Sequence, residues 1–370
     1  MSYFDDFIED VEAGRQGRNI GLSTGSKKLD NALGGVQRGT YYLIGGNTGT
    51  GKTAFADHAF VLSPYENYLH NVIGERHSDK PLIKLRVFYY SMEIAARKKI
   101  AKWVCYLLYR RHQLIIDIKE VYSRRSQISD EKFELIKSAR NYIEKMEDYV
   151  HIFDRPINPY GIYKEVSEYM ERNGKTTTIT KIVKGHELSF KQYTPNDPYE
   201  IVLVVVDHIG LLRPEKVRND KGEVVAEYRV KKEIIDHDSE NAITLRNLYG
   251  VSRISISQFN RDLADMDRRR FTELSPQLED FKNTGNASED AEVVMTLFNP
   301  LRYNILEYGG LNLSRIGGRY RSLSILKSRD GDDMLKLNLN FLGEVGYFRD
   351  FPDPLSEHHY TEAKEYRKFT

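Results

Sequence analysis

The stretch Gly45–Phe55, GGNTGTGKTAF, restricts what this chain can fold into more than any other. It follows the apolar run Tyr41–Ile44 and leads into Ala54-Phe55-Ala56, where a helix can begin. Gly46, Gly51, Lys52 and Thr53 fit G-x-x-x-x-G-K-[ST], the phosphate-binding loop between a strand and a helix. Its glycines let successive backbone N–H groups turn inward around phosphates, and the helix N-terminus adds its positive dipole end. Gly46, Asn47, Thr48, Gly49, Thr50, Gly51, Lys52, Thr53 and Ala54 would form the cradle. Lys52 would reach the β- and γ-phosphates, and Thr53 would give its hydroxyl to Mg²⁺. A glycine-rich turn without a ligand is the competing reading. The strand–loop–helix context favours a nucleoside triphosphate with Mg²⁺.

Composition narrows the class. With 370 residues and 40% hydrophobic side chains the chain can bury a large core, and α/β domains often run past about 200 residues as one unit. The net charge of +1 gives no global basic field, so any nucleic-acid contact must come from local patches. One cysteine, Cys105, rules out an internal disulfide or a cysteine-based metal cluster and suits a reducing cytoplasm. The acidic start MSYFDDFIEDVEAG lacks the apolar region of a secretory signal. No apolar run approaches the roughly 18 residues of a membrane span. A cytoplasmic protein without membrane contact is expected.

The periodicities predict strands alternating with helices, hence an α/β fold with a mostly parallel sheet. Phe4, Phe7, Ile8 and Val11 form one face of a short initial helix, set off by Gly14 and Gly17. Such a helix is not stable alone and must dock, either on its own domain or on a neighbouring subunit. Residues 61–84 read as an irregular excursion. Strands are expected at Leu85–Tyr90, Val150–Phe153, Ile201–Val206, Val251–Ser257 and Glu292–Phe298. Helices are expected around Ala101–Leu114, at Asp130–Met146 with Ser129 as N-cap, and at Pro159–Arg172. A hairpin is expected about Lys184-Gly185, a loop over 214–226, and a strand pair about Asp330-Gly331. Pro352 and Pro354 open a charged tail. The domain boundaries so predicted are 1–18, 19–350 and 351–370.

ATP hydrolysis needs an acid for Mg²⁺, a base or orienter for water, and positive charge on the γ-phosphate. Asp207 ends the apolar strand IVLVVV, where a Mg²⁺-holding carboxylate must emerge. Glu93, just past Val87–Tyr90, is either the general base or a surface glutamate. Gln258, ending Val251–Ile256, either senses the γ-phosphate or merely ends a strand. Trp103 and Cys105 read as core, and His208 as a site neighbour or a satisfied core residue. Two segments are locally basic, Lys216-Val217-Arg218 with Lys221 and Arg268-Arg269-Arg270 with Lys282. They are either solvated faces or contacts to a nucleic-acid backbone.

Taken in order, YYSMEI at 89–94, VVVDHIGLL at 204–212, SQFNRDL at 257–263 and EDFKNTGNASEDAEVVM at 279–295 resemble the ATPase domain of DnaB-type replicative helicases. Lys327-Ser328-Arg329 and FLGEVGYF at 341–348 extend the resemblance, which covers roughly residues 20–350. It implies a RecA-like phosphate-loop fold and a ring, expected to be a hexamer, that moves 5′ to 3′ on single-stranded DNA. It implies Glu93 as catalytic glutamate and Asp207 as the Mg²⁺ acid. Gln258 would link the γ-phosphate to DNA-facing loops. Lys327 and Arg329 would reach the neighbouring subunit's nucleotide, Arg329 as the arginine finger. Lys282, Asn283 and Gly285 would contact DNA phosphates; Arg268, Arg269 and Arg270 are DNA-contact candidates from their charge alone. The helix at Tyr3–Val11 occupies the place of the family's linker helix, which docks on an adjacent subunit.

No counterpart of the family's helical N-terminal domain is expected among these residues, and primase or a loader is an expected candidate partner through other contacts. His208 replaces the aromatic residue usual after the Mg²⁺ acid. The additions near 61–84 and 175–200 suggest a divergent, phage-encoded member. Two other readings stay open. The opening STGSKKLDNALGG suits a RecA- or KaiC-like ATPase acting in recombination or regulation equally well. A ring scaffold that binds ATP without turnover is opposed by intact Lys52, Asp207 and Glu93.

Overall fold

A computed structural model describes residues 3–17, 19–73, 84–183, 186–218, 223–259, 274–281, 286–351 and 358–361. Its strands are β1 (Tyr41–Gly46), β2 (Lys84–Ser91), β3 (Val150–Phe153), β4 (Gly174–Val183), β5 (His186–Pro195), β6 (Glu200–Asp207), β7 (Glu215–Arg218) and β8 (Val224–Tyr228). They continue with β9 (Ser252–Gln258), β10 (Val293–Phe298), β11 (Glu307–Tyr308), β12 (Leu311–Asn312), β13 (Tyr320–Ser328), β14 (Lys336–Leu342) and β15 (Tyr347–Asp350). Nine of these form one sheet in the order β15-β14-β13-β10-β1-β9-β6-β2-β3. The six from β10 to β3 pair in parallel, and β13, β14 and β15 add an antiparallel edge. The mostly parallel α/β sheet is therefore as expected.

The continuous apolar run of β6 explains its central place, because a strand covered on both faces needs apolar residues at every position. Leu203 and Val205 enter one core with Tyr42, Ile44, Val87 and Tyr89. Val202, Val204 and Val206 enter the other with Tyr41, Leu43, Phe88 and Tyr90. Each fully buried side chain of this size contributes about 1.5–3 kcal/mol. Helices α1 (Tyr3–Arg15), α2 (Lys27–Leu33), α3 (Lys52–Asp57), α4 (Ser63–Ile73) and α5 (Ala96–His112) precede α6 (Ile118–Val121), α7 (Asp130–Ser138) and α8 (Arg140–Glu147). Next come α9 (Pro159–Arg172) and α10 (Lys231–Tyr249), which pack together over the second core.

Several expectations need correction. Residues 61–73 are not an excursion: a π-helical stretch, His58–Leu62, joins α3 to α4. Leu62, Tyr65 and Tyr68 are buried there, and their i, i+3, i+6 spacing is a helical face. Pro64, which has no N–H to give, directly follows the π-helical stretch, where the regular i→i−4 ladder is already interrupted. The rest of that stretch, 74–83, lies outside the described residues. The expected loop at 214–226 contains the paired strands β7 and β8. The helix expected over Asp130–Met146 divides at Ala139, whose N–H bonds to Ile136 O at 3.2 Å. Ser129 does cap α7, accepting from Lys132 N. β4 and β5 form the expected hairpin, although Lys184-Gly185 fall outside the described residues.

Helix α1 runs on to Arg15 and leaves Phe4, Phe7, Ile8 and Val11 between 43% and 65% exposed. It does not bury that face on its own domain. In the expected tail, Phe351 is buried and Tyr360 lies under the Arg315 guanidinium at 4.0 Å; most of the tail is outside the described residues.

Candidate nucleotide-binding and active site

Parallel pairing brings the functional side chains to one edge. Gly46 is level with Gln258, and Ser91 with Asp207, which is itself level with Ile256. The phosphate loop, Glu93, Asp207 and Gln258 thus leave the carboxyl ends of adjacent strands, where open α/β sheets bind ligands. The loop bends into α3 through Gly49 (φ 74°) and Gly51 (φ 102°), conformations that favour glycine. A Cβ on Gly51 would also press on the Phe341 ring at 2.9 Å.

Thr53 Oγ1 donates to Asp207 Oδ1 at 3.1 Å. A hydroxyl and a carboxylate so close are hard oxygen donors of the kind Mg²⁺ shares with substrate phosphates and water, so this pair fits the metal. Asp207 is fully buried. Burial raises its pKa, opposed by the Lys99 ammonium. Lys52 Nζ donates to Asn47 O at 3.0 Å. Burial lowers its pKa to about 8, against the pull of Asp207 and Glu93. Glu93 is exposed on the turn after β2. Gln258 Nε2 donates to Thr48 Oγ1 at 2.6 Å, so β9 touches the loop directly. His208 accepts from Gly210 N at 3.1 Å and is half-buried beside the site.

Sequence reasoning missed further members. Arg302, in the short turn Pro300–Tyr303 after β10, donates to Thr48 O and lies against Gly49. The neighbouring Tyr303 hydroxyl accepts from Asn47 Nδ2. Arg321, buried on β13, donates Nε to Thr50 O at 2.7 Å, and burial lowers its pKa to about 10. Two arginines, one on the turn after β10 and one on β13, thus brace the loop. Beside α3 lies a cavity of about 230 Å³ whose lining includes Ala54, Lys102, Trp103, Tyr106, Glu344 and Gly346. Trp103 Nε1 and the Tyr106 hydroxyl are buried without hydrogen-bond partners among the described residues. Trp103 and Cys105 are buried, as expected of core residues.

Lys327 and Arg329 are not brought to this edge. Lys327 is level with Val294 and Ser328 with Val293, which is level with Tyr42 at the start of β1. The phosphate loop follows Gly46, four residues on, or about 13 Å at 3.3 Å per residue. Lys327 Nζ instead donates to Ser288 O at 3.2 Å, and Arg329 Nη1 to Glu292 Oε1 at 3.4 Å. Arg329 is 51% exposed. Lys282, Asn283, Gly285, Arg268, Arg269 and Arg270 lie outside the described residues. Among those described, no group of three or more His, Cys, Asp or Glu could hold a metal on its own, and no helix is long and apolar enough to cross a membrane.

Comparison with known proteins agrees with this geometry. The replicative DNA helicase DnaB of Rickettsia typhi (strain ATCC VR-144 / Wilmington) is 22% identical over 284 residues, 77% of this chain and 46% of the relative. That of Helicobacter pylori (strain J99 / ATCC 700824) is 19% identical over 285 residues, 77% of this chain and 45% of the relative. The chain spans about half the length of the curated relatives it matches. One solved ATPase domain superposes with a TM-score of 0.66 at 19% identity, covering 95% of this chain and all of that one. A DnaB-like replicative helicase studied with primase gives 0.66 at 19%, covering 95% of this chain and 68% of that one. The fold is therefore RecA-like. A family description, DnaB-like helicase C-terminal domain, matches residues 21–350, and the chain belongs to that family.

Proposed function

We propose that the chain is an ATP-driven replicative DNA helicase motor that assembles as a ring, expected to be a hexamer, and moves 5′ to 3′ on single-stranded DNA. The observation that carries this is the separation of its parts. Lys52, Thr53, Asp207, Glu93 and Gln258 share one sheet edge, while Lys327 and the half-exposed Arg329 sit at the other. A site that uses all of them needs a second copy of the chain. The apolar face of α1 offers that copy a docking surface.

Within one site, Thr53 Oγ1 and Asp207 Oδ1 would hold Mg²⁺, which neutralises charge on the phosphate oxygens. Lys52 would exchange Asn47 O for the β- and γ-phosphates. The nucleoside would enter the cavity beside α3, against Ala54, Trp103, Tyr106 and Gly346. Glu93, exposed beyond β2, would orient the attacking water and take its proton. Arg302 and the second copy's Arg329 would balance charge developing on the γ-phosphoryl group. Gln258 would sense departure of that group, because it touches Thr48 and lies two residues before the segment carrying Arg268–Arg270. DNA phosphates would lie against that segment and Lys282, Asn283 and Gly285. Primase or a loader is a further candidate partner.

The test combines ATPase rate with and without single-stranded DNA, light scattering, and displacement of 5′- and 3′-tailed duplexes. The expected result is a complex several times the 43.0 kDa chain mass, turnover stimulated by DNA, and unwinding from the 5′ tail. A monomer whose turnover ignores DNA would replace this reading with a KaiC-like regulator. Strand exchange without unwinding would replace it with a recombinase.

A further inference from the structure

Behind the nucleotide edge lies a buried charge cluster that no expected role accounts for. Lys99 Nζ donates to Asp57 Oδ1 at 3.0 Å and to the Tyr89 hydroxyl at 2.6 Å, and lies 3.6 Å from Asp207 Oδ2. The Tyr89 hydroxyl in turn donates to Asp207 Oδ2 at 3.4 Å. The Lys99 and Asp207 side chains have no exposed surface, and Asp57 has 6%. Asp57 ends α3, the helix that the phosphate loop opens. Lys99 is on α5, which begins three residues after Glu93, and Asp207 ends β6. One ammonium therefore joins α3, α5 and β6.

A buried ion pair is weak evidence for stabilisation, because desolvating the charges offsets most of their attraction. Orientation is the stronger reason for it. The two oxygens of Asp207 have separate partners: Oδ1 faces Thr53 at 3.1 Å, and Oδ2 faces Tyr89 and Lys99. A carboxylate that ligates through one oxygen is aimed by whatever holds the other. We propose that Lys99 is a positioning residue that, with Tyr89, clamps the Oδ2 side of Asp207 so that Oδ1 is presented to Mg²⁺ beside Thr53. The inference rests on the Mg·ATP reading of the site.

The test is binding rather than turnover. Fluorescent ADP is titrated into the full chain over a range of Mg²⁺ concentrations, for wild type, Tyr89→Phe, Lys99→Met and the double variant Asp57→Asn/Lys99→Met. The double variant removes both members of the Asp57–Lys99 pair, leaving no unpaired charge on Asp57. The Mg²⁺ concentration for half-maximal binding should rise about tenfold in Lys99→Met and stay raised in the double variant. Tyr89→Phe should move it less, in the same direction, and binding in EDTA should match wild type throughout. A double variant with wild-type Mg²⁺ dependence would show that Lys99 serves only Asp57, and would overturn the inference alone. A wild type whose nucleotide binding ignores Mg²⁺ would overturn the site reading as well.

Discussion

Gly45 offers a sharp test of how the phosphate loop is joined to the basic segments. Its φ is not positive, so the backbone does not require glycine there; the space does. A Cβ at this position would lie 2.5 Å from Phe259 Cε1 and nearer still to the Phe281 ring, against about 3.5–4.0 Å for carbon atoms in contact. The two rings already meet edge to face with centroids 5.1 Å apart, so neither yields freely. In Gly45→Ala both rings must shift by about 1 Å, and overpacking of this kind costs about 1–3 kcal/mol. At about 2.1 cal/mol/K of unfolding entropy per residue over 370 residues, a loss of about 2 kcal/mol lowers Tm by about 3 °C. Phe259 and Phe281 immediately precede 260–273 and 282–285, which carry Arg268–Arg270 and Lys282. The ratio of DNA-stimulated to basal ATPase should therefore fall as well. Calorimetry and a coupled ATPase assay measure the two effects. Adding Phe281→Leu should recover stability, a coupling of about 1 kcal/mol. Gly45→Ala with wild-type Tm and an unchanged DNA response would refute the packing argument.

Other perturbations follow from the same geometry. His58 is buried among Tyr106, Tyr347 and Phe348, and burial lowers its pKa to about 3, with Arg110 adding to the shift. The unfolded chain takes up the proton near pH 6.5 while the folded chain does not. Stability is thus present above about pH 6.5 and lost as pH falls toward 3, by about 2 kcal/mol between pH 7.5 and 5. Urea titrations at the two pH values should show that loss shrink by about this amount in His58→Phe; an equal loss in both proteins would contradict it. Arg302→Ala removes a charged donor from the loop, worth about 1.5–3 kcal/mol, and should weaken ATP binding at least tenfold by calorimetry. Unchanged affinity would mean that Arg302 only packs.

Much of the site was legible because it is local. The phosphate loop, the apolar run ending in Asp207, and the polar residues closing β2 and β9 are each contiguous, and parallel pairing aligns strand ends without further information. The members that were missed depend on pairings far apart in sequence. Lys99 meets a carboxylate 42 residues away, and Arg302 meets Thr48 across 254. Both contacts join elements that are distant along the chain, a helix to a helix and a turn to the phosphate loop, which no local pattern encodes. Helix α4 was obscured because its apolar spacing is interleaved with Asn and Glu. The hairpin β7–β8 is hidden in the sequence because β7 has a single apolar residue, Val217, among Glu215, Lys216 and Arg218. The exposed stripe on α1 was legible as a helix face, and the fold shows that its own domain does not cover it.

Complementation between two defective chains tests the central claim, a site completed by a second copy, most directly. Arg329→Ala keeps Glu93 but lacks the proposed finger, and Glu93→Gln keeps that arginine but lacks the carboxylate. Each alone should hydrolyse ATP slowly in the presence of single-stranded DNA. Mixed, they form interfaces where an intact Glu93 faces an intact Arg329, and turnover should exceed the sum of the separate rates. If the mixture is no faster than that sum, or if Arg329→Ala alone turns over at the wild-type rate, the shared site is wrong.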